Sequence, residues 1–202
     1  MSRAKITVLA CIASLALLVV ASSSASAAEW NVNKAVLGSG KSELATGTTT
    51  TKNFELALGG INITVTCTGL QNNSAFIVGP TLFEAKSISL TGCTSSSATC
   101  PVNSVVGSNE LSGASGSSFA LKIGPRETGH VLFIVEFEGA FCPLSAYPVK
   151  GNFTMTSGSI STEQGEHELV VSSSELNTGG DIDTLTGAAD FKLASGQTWS
   201  FH

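Results

Sequence analysis

The cysteine side chains are the residues of this chain whose spacing most directly limits the available chemistry. Cys93 and Cys100 bracket a run of small polar residues in the stretch GCTSSSATC. A zinc site would need two further cysteine or histidine ligands at suitable spacing, and none lies nearby in the sequence. A redox pair prefers the C-x-x-C spacing, in which the second thiol activates the first. The stretch is therefore interpreted as part of a disulfide framework.

The first 28 residues have the features of a secretory signal peptide. A positively charged start is followed by an apolar run over residues 6–20 and by the small residues Ala25-Ser26-Ala27. Cleavage after Ala27 and cleavage after Ala28 both fit this pattern. The sequence therefore predicts a signal peptide over residues 1–28 and one secreted domain over residues 29–202, outside the cell or at its surface.

Strand parity guides the pairing of the four cysteines that remain after cleavage, in an oxidising compartment that favours disulfides. Cys67 continues an apolar alternation that begins at Ile61, so it should point inward. Cys93 continues an alternation of serine and threonine, so it should point outward. Because an inward and an outward thiol make poor partners, we expect a Cys93–Cys100 disulfide across a surface loop and a Cys67–Cys142 disulfide beside the core.

The remaining residues with catalytic chemistry form no recognisable set. His130, His167 and His202 are not at metal-ligand spacing, and the G-x-S-x-G and H-E-x-x-H motifs are absent from the sequence. Glu136 and Glu138 lie on one face of a predicted strand and are interpreted as its polar continuation, although a glycosidase pair remains an alternative. We therefore predict no catalytic residue and no cofactor.

Two glycine-flanked segments could hold an ion or a phosphate. Asp181 and Asp183 in GGDIDTLTG offer hard oxygens for calcium, but only Thr184 adds to them, so the segment is interpreted as a turn without a metal. The segment AVLGSGKS, residues 35–42, lacks the first glycine of a phosphate loop and precedes a poor helix. It is interpreted as a glycine turn.

The elements that must position these side chains are β-strands. Apolar and polar residues alternate with a period of two in many segments, which turn-forming residues separate. Examples are NFELALGG, INITVTC, SFALKIG, NFTMTSG, ADFKLAS and TWSFH. Residues 131–135 are apolar on both faces and predict a central strand. About ten short strands indicate an all-β fold, a single-domain antiparallel β-sandwich, with a closed β-barrel as the alternative.

Charge and aromatic content limit the partners. Loss of two of the ten basic residues with the leader changes the formal net charge from −5 to −7, which repels nucleic acid and anionic membranes. No later stretch is long and apolar enough to span a bilayer. Trp30, Tyr147 and Trp199 could stack on the sugar rings of a polysaccharide. Trp30 and Trp199 also alternate with apolar neighbours, which favours a place in the core.

Five segments together resemble a group of uncharacterised secreted β-rich proteins of actinobacteria. They are AEWNVN, TCTGL, SLTGCTSSSATC, FEGAFCP and LASGQTWSFH. The likeness extends over nearly the whole mature chain and implies export from a Gram-positive cell. It implies no activity and no functional residue.

These observations predict a secreted, non-catalytic binding or structural protein of the bacterial cell surface or medium. The sequence does not identify the partner, and a polysaccharide or another cell-wall component is one candidate. Two alternatives remain open at this point. An apolar cavity inside a closed barrel would indicate a carrier of a small apolar ligand, and a cleft with two close carboxylates would indicate a secreted hydrolase.

Overall fold

A computed structural model describes residues 28–49, 52–107, 111–114, 119–127 and 129–202. The predicted signal peptide, up to residue 27, lies outside this part of the chain. All regular elements within it are strands: β1 (Trp30–Val32), β2 (Ala35–Val36), β3 (Ser42–Thr49), β4 (Phe54–Leu58), β5 (Ile63–Val78), β6 (Leu82–Ser95), β7 (Val102–Gly107), β8 (Leu111–Ala114), β9 (Ala120–Pro125), β10 (Val131–Phe137), β11 (Ala146–Lys150), β12 (Phe153–Thr156), β13 (Glu166–Thr178), β14 (Asp181–Leu193) and β15 (Trp199–Phe201). The described residues contain no helix that could cross a membrane.

The strands form one large and one small antiparallel sheet. The 12-stranded sheet has the order β11-β10-β7-β6-β8-β9-β12-β13-β14-β3-β5-β4, and the 3-stranded sheet has the order β15-β1-β2. Additional pairings β11–β13, β6–β5 and β14–β4 join strands that are distant in this order. The large sheet therefore doubles back on itself, and its layers enclose one cluster of buried apolar side chains. The predicted all-β antiparallel sandwich is confirmed.

Two long hairpins, β5–β6 and β13–β14, run through the length of the molecule. β3 pairs with β5 beside the turn of the first hairpin, at Ser42 and Val78. The same strand pairs with β14 far from the turn of the second, at Ala45 and Leu193. The two hairpin turns therefore lie at opposite ends of the sandwich. We call the end with the β5–β6 turn the capped end and the end with the Gly179-Gly180 turn the open end.

The small sheet covers the capped end. The backbone N–H of Trp30 donates to the carbonyl of Pro80 at 2.8 Å, and its indole N–H donates to the carbonyl of Leu82 at 3.0 Å. The Trp30 ring lies 5.7 Å from the ring of Trp199 and 4.8 Å from that of Phe201. This buried aromatic cluster packs β1 and β15 against the β5–β6 turn. The alternation of Trp199 with Phe201 predicted this burial correctly.

The cysteine pairing differs from the expected one. The structure contains the disulfides Cys67–Cys93 and Cys100–Cys142, with Cα–Cα distances of 3.9 and 4.8 Å. Cys67 and Cys93 lie directly opposite each other in the β5–β6 ladder. The expected pairs Cys93–Cys100 and Cys67–Cys142 are therefore wrong.

The reason is a local change of backbone direction in β6. Gly92 has a φ of 61°, a conformation that interrupts the strict alternation of side chains along a strand. Leu90 and Cys93, three positions apart, consequently both pack on the core. The parity of the serine and threonine residues before Gly92 does not extend beyond it, so Cys93 shares the inward face of Cys67.

The strand over residues 131–137 is central, as its sequence predicts, because β10 pairs with β7 on one side and β11 on the other. Its apolar residues on both faces have two explanations. A register shift between Val131 and Phe133 allows the consecutive Leu132 and Phe133 both to be buried. Ile134, however, lies on the outer face and remains 41% exposed.

The disulfide pairing can be tested by mass mapping of the unreduced protein after proteolysis. We expect one peptide pair joined through Cys67 and Cys93 and a second joined through Cys100 and Cys142. Loss of either bond should lower the free energy of unfolding by about 3–4 kcal/mol, because the closed loops are of intermediate length. A peptide that joins Cys93 to Cys100 would contradict the structure.

The aromatic cluster predicts a large cost for Trp199→Ala. Removal of a fully buried tryptophan side chain costs about 3–5 kcal/mol, which is a large part of the stability of a typical domain. Phe141→Ala is the matched control, because this ring is 87% exposed and its removal should change stability by less than about 0.5 kcal/mol. Urea unfolding of both variants measures the difference, and equal effects would rule out the cluster as the source of stability.

Candidate functional site

The three aromatic residues considered for ligand stacking are all in the interior. Trp30 is 1% exposed, Tyr147 4% and Trp199 2%. None of them offers a ring face to a sugar, so the stacking interpretation does not hold and the core interpretation does. Any polysaccharide contact of this protein must therefore use other side chains.

Asp181 and Asp183 do not act together. Both belong to β14, and the turn before them consists of Gly179 and Gly180. Asp181 is exposed, whereas Asp183 is fully buried and accepts hydrogen bonds from three groups. Among the residues that the structure describes, no three His, Cys, Asp or Glu side chains are grouped so as to hold a metal.

The buried Asp183 carboxylate belongs to a polar cluster at the open end. Its Oδ1 accepts the backbone N–H of Gly59 at 2.9 Å and the hydroxyl of Tyr147 at 3.3 Å, and its Oδ2 accepts the hydroxyl of Thr178 at 2.9 Å. Burial raises the pKa of Tyr147, and the negative charge of Asp183 raises it further against the effect of a hydrogen bond with Thr178. A Cβ at Gly60 would lie 2.7 Å from the Tyr147 hydroxyl. The cluster is thus closed to ligands and joins β11, β13, β14 and the turn after β4.

His167 is a core histidine. Its Nε2 lies 2.8 Å from the carbonyl of Trp199 and its Nδ1 lies 3.5 Å from the hydroxyl of Ser159. Burial lowers the pKa of His167, although the bond to the Trp199 carbonyl opposes this shift. The adjacent Glu166 and Glu168 are exposed, because alternate residues of β13 point to opposite faces. The carboxylates beside His167 in sequence therefore do not orient its ring, and no catalytic triad forms around it.

The other candidate acids and histidines are on the surface. Glu136 and Glu138 are exposed, and Glu136 accepts a hydrogen bond of 2.6 Å from the hydroxyl of Ser104. His130 contacts Glu127 at 2.8 Å in the loop before β10. Neither arrangement encloses a substrate. The segment 35–42 forms β2, a tight turn and the start of β3, as its glycine pattern predicts.

A hydroxyl-lined groove on the outer face of β12, β13 and β14 is the strongest candidate site among the described residues. Its volume is 490 Å³, and its lining residues are Thr154, Ser172, Ser173, Glu175, Thr184 and Thr186. Thr154, Ser172 and Thr186 are direct cross-strand neighbours. We refer to this feature as the hydroxyl groove.

A bulge in β13 and an ion pair shape the hydroxyl groove. The register between β13 and β14 shifts between Ser173 and Leu176, which turns Glu175 out of the regular alternation. The Glu175 carboxylate contacts the Lys122 ammonium group at 2.6 Å across the neighbouring β12. The Ser173 hydroxyl donates to the carbonyl of Asn152 at 2.6 Å and fixes the bulge. The ion pair and the bulge therefore fix the positions of the polar side chains on this side of the groove.

A second depression continues the groove towards the open end. It has a volume of 260 Å³ and shares Thr184 with the hydroxyl groove. Thr64 and Asn62 add polar groups, and Ile182, which is 66% exposed, forms an apolar wall. Together the two depressions make a shallow trough across β12, β13, β14, β4 and β5.

The outward hydroxyls follow one row across seven adjacent strands, because each member is the register partner of the next. Five of its seven members carry hydroxyls, namely Thr154, Ser172, Thr186, Thr66 and Thr94, and the other two are Lys122 at one end and Glu55 between Thr186 and Thr66. Hydroxyls both donate and accept hydrogen bonds, so such a row can match ligands rich in hydroxyl groups. Sequence reasoning missed this site because alternation indicates which residues face outward but not which strands are neighbours.

Comparison with known proteins leaves the function to be inferred from this geometry. No family model matches the chain, and no significant match was found among curated proteins or solved structures. The hydroxyl groove is therefore the feature on which a functional proposal must rest.

The buried His167 predicts a pH dependence of stability. Because its pKa in the folded protein lies below the ordinary value of 6.5, the unfolded chain binds the proton more readily. Its contribution to stability is full above about pH 6.5 and is lost as the pH falls from there towards the folded pKa. Urea unfolding between about pH 5 and pH 8 measures the slope of the free energy of unfolding against pH.

Two variants isolate the effect. His167→Gln should flatten the slope over this range, whatever its effect on overall stability. His130→Gln is the matched control, because His130 is exposed, and it should leave the slope unchanged. A slope that His167→Gln leaves intact would contradict the role assigned to burial.

Proposed function

We propose that this protein is a secreted, non-catalytic binding protein of the cell surface or medium, and that the hydroxyl groove binds a neutral polysaccharide of the cell wall or its surroundings. The observation that carries the proposal is the row of outward hydroxyls from adjacent strands that lines a groove of 490 Å³. The two disulfides support an oxidising compartment outside the cytosol.

The chemistry of the groove fits a polymer of sugars. Thr154, Ser172 and Thr186 present hydroxyls from a hydrogen-bonded sheet, and the β-branched threonine side chains have few rotamers. Little conformational freedom is therefore lost on binding. Each net hydrogen bond contributes only about 0.5–1.5 kcal/mol, so useful affinity needs several contacts in a row.

The length of the row favours a chain over a single sugar. Neighbouring strands are about 4.8 Å apart, so the five strands β12, β13, β14, β4 and β5 of the trough extend about 19 Å across the sheet. The trough is shallow and crosses the strands, which suits an extended polymer that enters and leaves at both ends. A small apolar ligand is less suited to it, because the groove is open to solvent and does not enclose a ligand.

The acidic groups of the groove support binding without hydrolysis. Glu175 is the carboxylate that lines it, and this group is paired with Lys122 at 2.6 Å. Glycoside hydrolysis commonly uses two carboxyl groups on opposite sides of the bond to be cleaved. A single carboxylate engaged by an ammonium group fits a contact to sugar hydroxyls better than it fits acid catalysis.

The proposal is tested by affinity electrophoresis and calorimetry against soluble neutral polysaccharides: a β-glucan, an α-glucan, a galactan and a mannan. Thr154→Val removes a groove hydroxyl with little change of shape. We expect the dissociation constant to rise about threefold to tenfold, the equivalent of one lost hydrogen bond. The triple variant Thr154→Val, Ser172→Ala, Thr186→Val should abolish measurable binding.

Thr156→Val is the matched control, because Thr156 lies on the same strand and the same face as Thr154 but outside the groove. Binding by this variant should equal that of the parent protein. Failure to bind any of the four polymers, or equal losses in Thr154→Val and Thr156→Val, would refute the groove as a polysaccharide site. Release of reducing sugars from a bound polymer would refute the non-catalytic assignment.

A further inference from the structure

The outer face of β7, β10 and β11 carries an apolar row. Ile134 of β10 lies between Val106 of β7 and Pro148 of β11 as their direct cross-strand neighbour. Val106 is 46% exposed and Ile134 41%, and Pro148 is exposed as well. Three adjacent strands thus present apolar side chains to solvent at one level. We call the outer face of β7, β10 and β11 the β10 face, and this apolar row lies at its centre.

Opposite charges flank this row along the strands. Towards the open end lies Glu136, which is exposed and is the register partner of Ala146 and Ser104. In the other direction lies Lys150, exposed at the end of β11 and paired in register with Val131 of β10. The face is therefore acidic on one side of the apolar row and basic on the other.

From this pattern we propose that the β10 face is the interface through which two copies of this chain form a two-fold symmetric dimer. In such a dimer each contact between two different residues occurs twice. A two-fold axis that runs along the apolar row sets this row against its own copy. The same axis sets the acidic side of one face against the basic side of the other. Glu136 of each copy then meets Lys150 of its partner, because these residues lie on adjacent strands.

The charge pattern favours a second copy over an unrelated partner. The chain carries a formal net charge of −5, and −7 without the predicted signal peptide, so two copies repel each other in general. Association must therefore use a face on which opposite charges meet, and the β10 face supplies one of each on either side of its apolar centre. A partner with an unrelated charge pattern would meet this face with one of the two charges unmatched.

The proposed dimer stands independently of polysaccharide binding but would strengthen it. The β10 face consists of β7, β10 and β11, whereas the hydroxyl groove lies on β12, β13 and β14. Both grooves of a dimer therefore lie outside the proposed interface. Linking two weak sites in this way raises overall affinity without any new contact in either site. The face is small compared with typical stable interfaces, so we expect a weak, concentration-dependent dimer.

Sedimentation velocity of the disulfide-bonded protein from low micromolar to millimolar concentration tests the proposal. We expect a monomer–dimer equilibrium in which Ile134→Ser raises the dissociation constant at least about tenfold. Ile182→Ser is the matched control, since Ile182 is 66% exposed on β14, outside the β10 face, and should leave the equilibrium unchanged. A monomer at every concentration, or equal effects of the two variants, would overturn the proposal.

A charge exchange tests the two-fold arrangement itself. Glu136→Lys and Lys150→Glu should each weaken the dimer about tenfold, because each brings like charges together. The double variant restores opposite charges across the interface and should return the dissociation constant to within about threefold of the parent value. Both sites are exposed, so folding of the variants is not at risk. If the double variant dimerises as weakly as the two single variants, the two-fold arrangement is overturned.

Discussion

The buried Asp183 carboxylate is the interaction on which the arrangement of the open end depends. A carboxylate in an apolar interior is tolerated only when hydrogen-bond donors replace the lost water. Here the donors are the Gly59 backbone, the Tyr147 hydroxyl and the Thr178 hydroxyl. They come from the turn after β4, from β11 and from β13, so the carboxylate connects each of these elements to β14. Loss of one donor would leave a buried charge poorly compensated.

This constraint links the two surfaces to which we assign functions. β13 and β14 carry the hydroxyl groove, and β11 carries one edge of the β10 face. Direct pairing between β11 and β13 is limited to Lys150 and Asn177, so backbone hydrogen bonds hold these strands together only locally. The bond from Tyr147 to Asp183 completes the joint, together with the Thr178 hydroxyl, whose single proton is shared between Asp183 and the carbonyl of Pro148 at 2.5 Å. Side-chain hydrogen bonds thus connect β11 with β13 and β14 here, where elsewhere in the sheet an extended ladder joins neighbouring strands.

The sequence predicted the strands and most of the core because both follow from the alternation of side chains along extended backbone. It misled wherever alternation was continued across a local irregularity. Gly92 reverses the parity of Cys93. The bulge of β13, about which the alternation made no prediction, turns Glu175 outward. The hydroxyl groove depends on which strands become neighbours, and its residue Thr186 has the sequence-distant Glu55 of β4 as a register partner. No local pattern carries that information, since long-range register is decided by the packing of the whole sheet.

The unusual surface composition of this protein has a physical rationale if a neutral polymer is its ligand. Charged residues make up only 12% of the chain, and serine and threonine occupy many outward positions of the strands. A lysine or glutamate covered by a neutral polymer loses hydration that sugar hydroxyls replace poorly. A threonine hydroxyl loses far less, because a sugar hydroxyl exchanges with water as donor and as acceptor. Outward threonine side chains therefore keep the sheet hydrated when no polymer is bound. Their desolvation costs little free energy when a polymer covers the trough. The ion pair of Lys122 with Glu175 follows the same logic, since each charge at the wall of the groove retains its partner when water is displaced.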